Sequence, residues 1–133
     1  MRMAQAGQYN LPRCLQIGDN IAAMLACAKF AEEAMSLNFL LNRRYMPYYK
    51  LAPRILPQLP MLGENLHILL DFLAASPLEQ ASAAIEQFCG QCAALLQALN
   101  LSLEEDAWLW LQGPVVARRI ANPDSRRRNL LDD

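Results

Sequence analysis

Asp19-Asn20-Ile21-Ala22-Ala23-Met24-Leu25-Ala26-Cys27-Ala28 opens the stretch whose reading decides the fold. Asp19 is a suitable N-cap, because its carboxylate can accept from the free N–H groups of a first helical turn. Apolar residues follow at Ile21, Met24, Leu25, Ala28, Met35, Phe39 and Leu40. That spacing predicts a long helix over about 20–45. Ala22, Ala23 and Ala26 allow a neighbouring helix to approach closely.

The helix runs into Leu40-Leu41-Asn42-Arg43-Arg44-Tyr45-Met46-Pro47-Tyr48-Tyr49-Lys50. A helix that only has to be buried does not need that density of cations and hydroxyls. Two readings stand: an ordered polar knot between helices, or a surface facing a ligand or partner. Pro47 fits the first turn of a second helix over about 47–58, which Pro53 would kink and Pro57 and Pro60 end. A third helix is expected from about 64 to 75, with Leu66, Leu69, Leu70 and Leu73 inward. Ser76 as N-cap, Pro77 at the first position and Glu79 predict the start of a fourth, reaching about Leu99. Ser102 with Glu105 starts a fifth, which Gly113-Pro114 kinks before Val115–Ala121 resumes it. Asn122-Pro123-Asp124 opens a short last turn. Residues 1–10 read as a short helix tail or an extended lead.

Thr is absent and Val is scarce, which disfavours sheet. The fold expected is therefore all-α: an up-and-down bundle of about five helices, the second and last kinked, in one domain over 1–133. The chain is 54% hydrophobic and 19% charged. A dense helical core or an apolar face left for a partner both fit that balance, and a homodimer is one such expectation. No run of about 20 residues lacks polar groups, so no transmembrane span is expected. No signal pattern opens the chain, and the compartment expected is the cytoplasm.

Charge is unevenly distributed. Residues 1–60 carry seven basic and three acidic side chains, and residues 61–117 carry seven acidic and none basic. Residues 118–133 carry five Arg and three Asp, bringing the net charge to −1. Ion pairs between the first two segments, or solvated faces, are the plain expectation. The balance argues against a nucleic-acid partner, which calls for a basic domain. Arg118, Arg119 and Arg126–Arg128 read as a solvated tail or a phosphate grip.

Cys89-Gly90-Gln91-Cys92 has redox or zinc spacing, but it falls late in a helix with no strand before it. Zinc would need Cys14, Cys27 or His67 to complete four ligands. Core thiols are the simpler reading, and no cofactor or metal site is expected. His67, between Leu66 and Ile68, reads as a packing residue. Trp108 and Trp110, two positions apart, point to different faces of a helix.

Residues 4–14 (Ala4-Gln5-Ala6-Gly7-Gln8-Tyr9-Asn10-Leu11-Pro12-Arg13-Cys14), then Gly18-Asp19, Phe39-Leu40-Leu41-Asn42-Arg43-Arg44-Tyr45 and Pro47-Tyr48-Tyr49-Lys50, resemble the family called domain of unknown function 4037. Ile120, Asn122-Pro123-Asp124 and Arg126 extend the resemblance. It implies a helical domain that usually follows a nucleotidyltransferase domain, as in kanamycin-nucleotidyltransferase-like proteins, where the bundle helps form the acceptor site. A nucleotidyltransferase catalytic domain, in cis or in trans, is the partner so implied. The catalytic parts of such enzymes, a Gly-Ser turn and an Asp-x-Asp metal pair, do not occur in this chain. Glu104-Glu105-Asp106 is contiguous and suits a helix dipole better. The chain is therefore expected to resemble the non-catalytic half and not to be an enzyme by itself. A split subunit, a remnant or a fragment are the expected relationships, and the opening at Met1 favours the last two. Helical nucleases of the Arg-x(4–6)-His kind are excluded, since His67 has no Arg at that spacing.

The candidate binding residues are Arg43, Arg44, Tyr48 and Lys50, lining a cleft for an anionic group such as a nucleotide phosphate. Asn10 and Arg13, which the resemblance includes, are expected to join that surface.

Overall fold

The computed structural model describes residues 2–99. Among them the chain is helical with no strand, as the composition predicts. The fifth helix, its kink at Gly113-Pro114, Trp108, Trp110 and the C-terminal arginines lie outside the described residues.

The N-terminus is part of the core and not a lead. Helix α1 (Arg2–Ala4) passes through a π-helical turn (Gln5–Asn10) into α2 (Leu11–Gln16). Met3, Ala4, Ala6, Gly7, Gln8 and Leu11 are all buried along it. Small side chains make this possible. A Cβ on Gly7 would lie 2.5 Å from Phe30 Cδ2 and 2.9 Å from Ile85 Cγ2, so the turn is wedged between two helices. Gln8 Nε2 donates to Glu86 Oε2 at 2.9 Å and ties the turn to the second of them.

Helix α3 (Asn20–Leu41) is the central element, packing on α1, the π turn, α2 and α5. Asp19 caps it as expected, accepting from the Ala22 N–H at 2.9 Å. Ala23, Cys27, Phe30, Ala34, Met35, Asn38 and Phe39 are buried, whereas Ile21, Met24, Leu25 and Leu40 are exposed. The helix is apolar around most of its circumference, so periodicity could not choose a face. The small residues that admit the N-terminal segment chose it instead.

α3 also stops early, at Leu41. The Arg43 N–H donates to the Leu40 carbonyl at 2.9 Å and the Arg44 N–H to the Phe39 carbonyl at 3.0 Å. Arg43 has a φ of 54°. This is a Schellman stop with Arg where Gly usually stands. The expected helix over 47–58 is absent. Tyr48–Leu51 form a turn, α4 spans only Ala52–Ile55, and a 3-10 turn (Leu56–Gln58) follows. Pro53 sits in the first turn of α4, where its missing N–H costs nothing, and so begins a helix instead of kinking one.

Helix α5 (Gly63–Ala75) matches expectation within a residue, with Leu66 and Leu69 buried and Leu70 and Leu73 half-buried. Helix α6 (Ala81–Ala98) starts later than expected. Ser76 is extended and makes no cap, and Leu78–Gln80 form a 3-10 turn from which α6 continues. α6 packs on α5 and on the π turn. Phe30, Phe39, Leu11, Leu56, Leu66 and Ile85 are enclosed at the centre. Each contributes about 1.5–3 kcal/mol of burial. No helix among the described residues is long and apolar enough to cross a membrane.

A polar clasp joins the end of α3 to the entry of α5. Asn42 Nδ2 donates to the Asn38 carbonyl at 2.8 Å and the Met61 carbonyl at 2.9 Å, and the Met61 N–H donates to Asn42 Oδ1 at 2.8 Å. Asn38, 1% exposed, donates from Nδ2 to the same Met61 carbonyl at 3.1 Å. Just beyond, a Cβ on Gly63 would overlap the Leu56 carbonyl oxygen and come 2.8 Å from Leu59 Cβ. Urea unfolding of Asn42→Ala should show a loss of about 2 kcal/mol, because the Met61 N–H loses its acceptor. Gly63→Ala should lose about 3 kcal/mol by overpacking against backbone.

Candidate functional site

The residues singled out from the sequence fall into two groups. Arg43, Arg44, Tyr48 and Lys50 lie on the loop between α3 and α4. Asn10 and Arg13 lie on the π turn and α2. Arg13 is occupied locally: its Nη1 donates to the Tyr9 hydroxyl, and its guanidinium stacks over the Tyr9 ring at 4.7 Å. Asn10 is half-buried. No hydrogen bond, ion pair or ring contact of Arg13, Arg43, Arg44, Tyr48 or Lys50 joins the two groups.

Within the loop, the backbone is fixed while the side chains are open. The Schellman stop and the Asn42 clasp set the position of residues 42–44. Met46 and Pro47 are half-buried and anchor the middle of the loop. Arg43, Arg44, Tyr48, Tyr49 and Lys50 are exposed, and Tyr45 is 98% exposed. The Tyr48 and Tyr49 rings meet at 4.7 Å and 59°, with Lys50 Nζ 6.0 Å from the Tyr49 ring centre. Neither Arg43 nor Arg44 hydrogen-bonds or ion-pairs through its side chain with any described residue. The polar knot therefore exists, but Asn38 and Asn42 make it, not the Arg and Tyr residues. Asn at a helix end carries no more signal than any other capping type, so its partner nineteen residues on could not be read.

Between Glu33 and Glu64 there is no carboxylate, and Arg43, Arg44, Lys50 and Arg54 all fall in that window. The expected ion pairs between the first two charge segments are not formed among the described residues. Arg2 and Lys29 pair with Glu32 and Glu33, within the first segment. The loop is thus electropositive with nothing described to offset it, a setting in which Arg forks suit carboxylate or phosphate.

Two clefts lie elsewhere, and none of the candidate residues lines either. One, of about 440 Å³ between α3 and α5, is lined by Met24, Cys27, Met35, Leu70 and the His67–Asp71 pair. His67 Nδ1 is 3.6 Å from Asp71 Oδ2, and the ring is half-buried, in keeping with a packing role. The other, of about 540 Å³, lies between α5 and α6, with Ile68, Leu69, Phe72, Ala84 and Phe88 in its wall. Neither of these two clefts is lined by the loop, whose Tyr45 ring is almost fully exposed.

Cys89 and Cys92 are core thiols. Burial pushes Cys92 up to about 12 from 9.0. It raises Cys89 further, with the charges of Cys92 and Glu86 adding to desolvation. Burial also raises Cys27. No group of three or more His, Cys, Asp and Glu among the described residues is placed to hold a metal.

Residues 1–51 match the model of the family described as Domain of unknown function (DUF4037). The matched stretch holds all six candidate residues and ends with the loop. No curated protein and no solved structure matches the chain.

Two outcomes follow from the geometry. Arg43→Gly should raise stability by about 1 kcal/mol in thermal unfolding, since Gly holds a positive φ without strain. Arg44→Ala should stay within about 0.5 kcal/mol of the parent. In thiol labelling under native, mildly alkaline conditions, half-buried Cys14 should react first and Cys89 and Cys92 only on unfolding. The sign of the linked pH effect is fixed by the raised values. Stability from the neutral thiols is full below 9.0 and is lost as pH climbs from 9.0 towards about 12.

Proposed function

We propose that this chain is an accessory helical domain without catalytic chemistry of its own, whose surface over residues 43–50 recognises an anionic group. The observation that carries this reading is the pair of exposed guanidiniums of Arg43 and Arg44, without a side-chain partner among the described residues and set by a fixed backbone in a stretch free of carboxylates. Tyr48 and Lys50 extend the surface. Asn10 and Arg13 lie on the π turn and α2, and Arg13 is already engaged by Tyr9. From the resemblance, the partner is a nucleotidyltransferase catalytic domain, in cis or in trans, with its bound nucleotide as the anionic group.

A second reading, a stand-alone interaction module that forms a homodimer, is favoured by the exposed apolar side chains Ile21, Met24 and Leu25 on α3. Both readings make recognition, and not turnover, the work of the chain.

Native mass spectrometry of the full chain from its own source tests the proposal. The parent should carry a catalytic-domain-sized partner or a nucleoside triphosphate. Arg43→Ala/Arg44→Ala should be equally folded by circular dichroism and bare. A parent that binds neither a partner nor nucleotide, or a double variant that keeps its partner, overturns the reading.

A further inference from the structure

We infer that the anionic group recognised over residues 43–50 is single-stranded nucleic acid, its bases stacked on Tyr45, Tyr48 and Tyr49 and its phosphates held by Arg43, Arg44 and Lys50. The inference rests on the reading of this loop as an anion-recognition surface and extends its ligand from one nucleotide to a strand.

The cations account for an anion but not for the rings. Tyr45, Tyr48 and Tyr49 are 98%, 62% and 57% exposed. A tyrosine that served only the core would bury its apolar faces. The other apolar residues of the loop do turn inward, and Met46 and Pro47 are half-buried. What the segment from Arg43 to Lys50 leaves exposed is three phenols and three cations. Their order is regular as well: Arg43-Arg44-Tyr45 and Tyr48-Tyr49-Lys50 twice set rings beside cations. A single strand repeats the matching chemistries, a phosphate and a flat base. Proteins that bind such strands combine a cationic track with aromatic rings on which successive bases stack.

Shape separates this ligand from its rivals. A single nucleotide is held in a concavity that encloses it, and these residues line neither of the two clefts. A protein interface seats its aromatic anchors in an apolar, desolvated centre, whereas no aliphatic side chain is exposed between Arg43 and Lys50. A duplex keeps its base faces inside the stack and so meets the cations without the rings. A single strand offers phosphates and open base faces together.

The whole-chain charge of −1 is an average over unlike segments. Residues 34–63 carry Arg43, Arg44, Lys50 and Arg54 and no acidic residue. A phosphate on the loop responds most to charges within a Debye length, about 8 Å at physiological salt. The overall balance, which argues against a dedicated nucleic-acid domain, then sets the strength of the contact: modest and steeply salt-dependent.

Fluorescence anisotropy of labelled strands of about ten nucleotides, in DNA and in RNA, titrated with the full chain over a salt series, tests this. Blunt duplex, heparin and a nucleoside triphosphate are the comparison ligands. The parent should bind the strands at low salt, and more tightly than the duplex. Tyr45→Ala should weaken strand binding roughly tenfold, as should Tyr48→Ala/Tyr49→Ala, with circular dichroism and heparin binding unchanged. Arg43→Ala/Arg44→Ala should weaken strand and heparin binding alike and flatten the salt dependence. A parent that ignores the strands or prefers the duplex, or strand binding indifferent to the tyrosine variants, overturns the inference. If such a parent still holds a protein partner or the triphosphate through Arg43 and Arg44, the recognition reading survives that failure. If it holds neither, both fall.

Discussion

Both backbone polar groups of Met61 are taken by two asparagines at the far end of α3, and the arrangement of residues 38–63 depends on that clasp. Asn42 pairs with Met61 much as one peptide pairs with another, one donor and one acceptor in each direction. Asn38, fully buried, adds a second donor to the same carbonyl. Four hydrogen bonds of net worth about 1 kcal/mol each are modest. Their importance lies in what they fix: where α3 ends, where α5 begins, and how the intervening loop is held. Gly63 completes the constraint by letting the Leu56 carbonyl sit where any side chain would collide.

The hydrogen bonds at the end of α3 are divided unevenly between sequence neighbours. Asn42 is structural, while Arg43, Arg44 and Tyr45 have no described partner and project from the positions it sets. Arg43 holds a left-handed backbone that Gly would hold more cheaply, at a cost of about 1 kcal/mol. A strained residue with an idle side chain is the pattern expected where a surface is kept for binding.

The elements legible in the sequence were those with explicit punctuation. Asp19 capped α3, and Leu66 and Leu69 faced inward from a helix placed within a residue of its observed bounds. Elements governed by close approach were not legible. Gly7 and the small residues before it give no periodic signal, so the π turn wedged between Phe30 and Ile85 read as a short helix tail or an extended lead. α3 is apolar on several faces, so periodicity alone does not say that Ile21 and Leu25 face out. Ser76-Pro77 resembled a cap, yet the extended backbone at Ser76 hands the start of α6 to Ala81. Of the candidate site, the exposed Arg43, Arg44, Tyr48 and Lys50 were legible as an unusual density of polar groups. The joining of Asn10 and Arg13 to them was not met, because Tyr9 takes Arg13 one turn away.

The claim that an asparagine clasp, and not the arginines, holds this loop is tested most directly by hydrogen exchange at the Met61 amide in the folded chain. If the account is right, that amide exchanges only through opening of α5, with protection like that of Leu66 in the helix interior, and loses it in Asn42→Ala while keeping it in Arg44→Ala. An amide that exchanges at the rate of an unstructured peptide in the parent chain, or loses protection with Arg44, would contradict it.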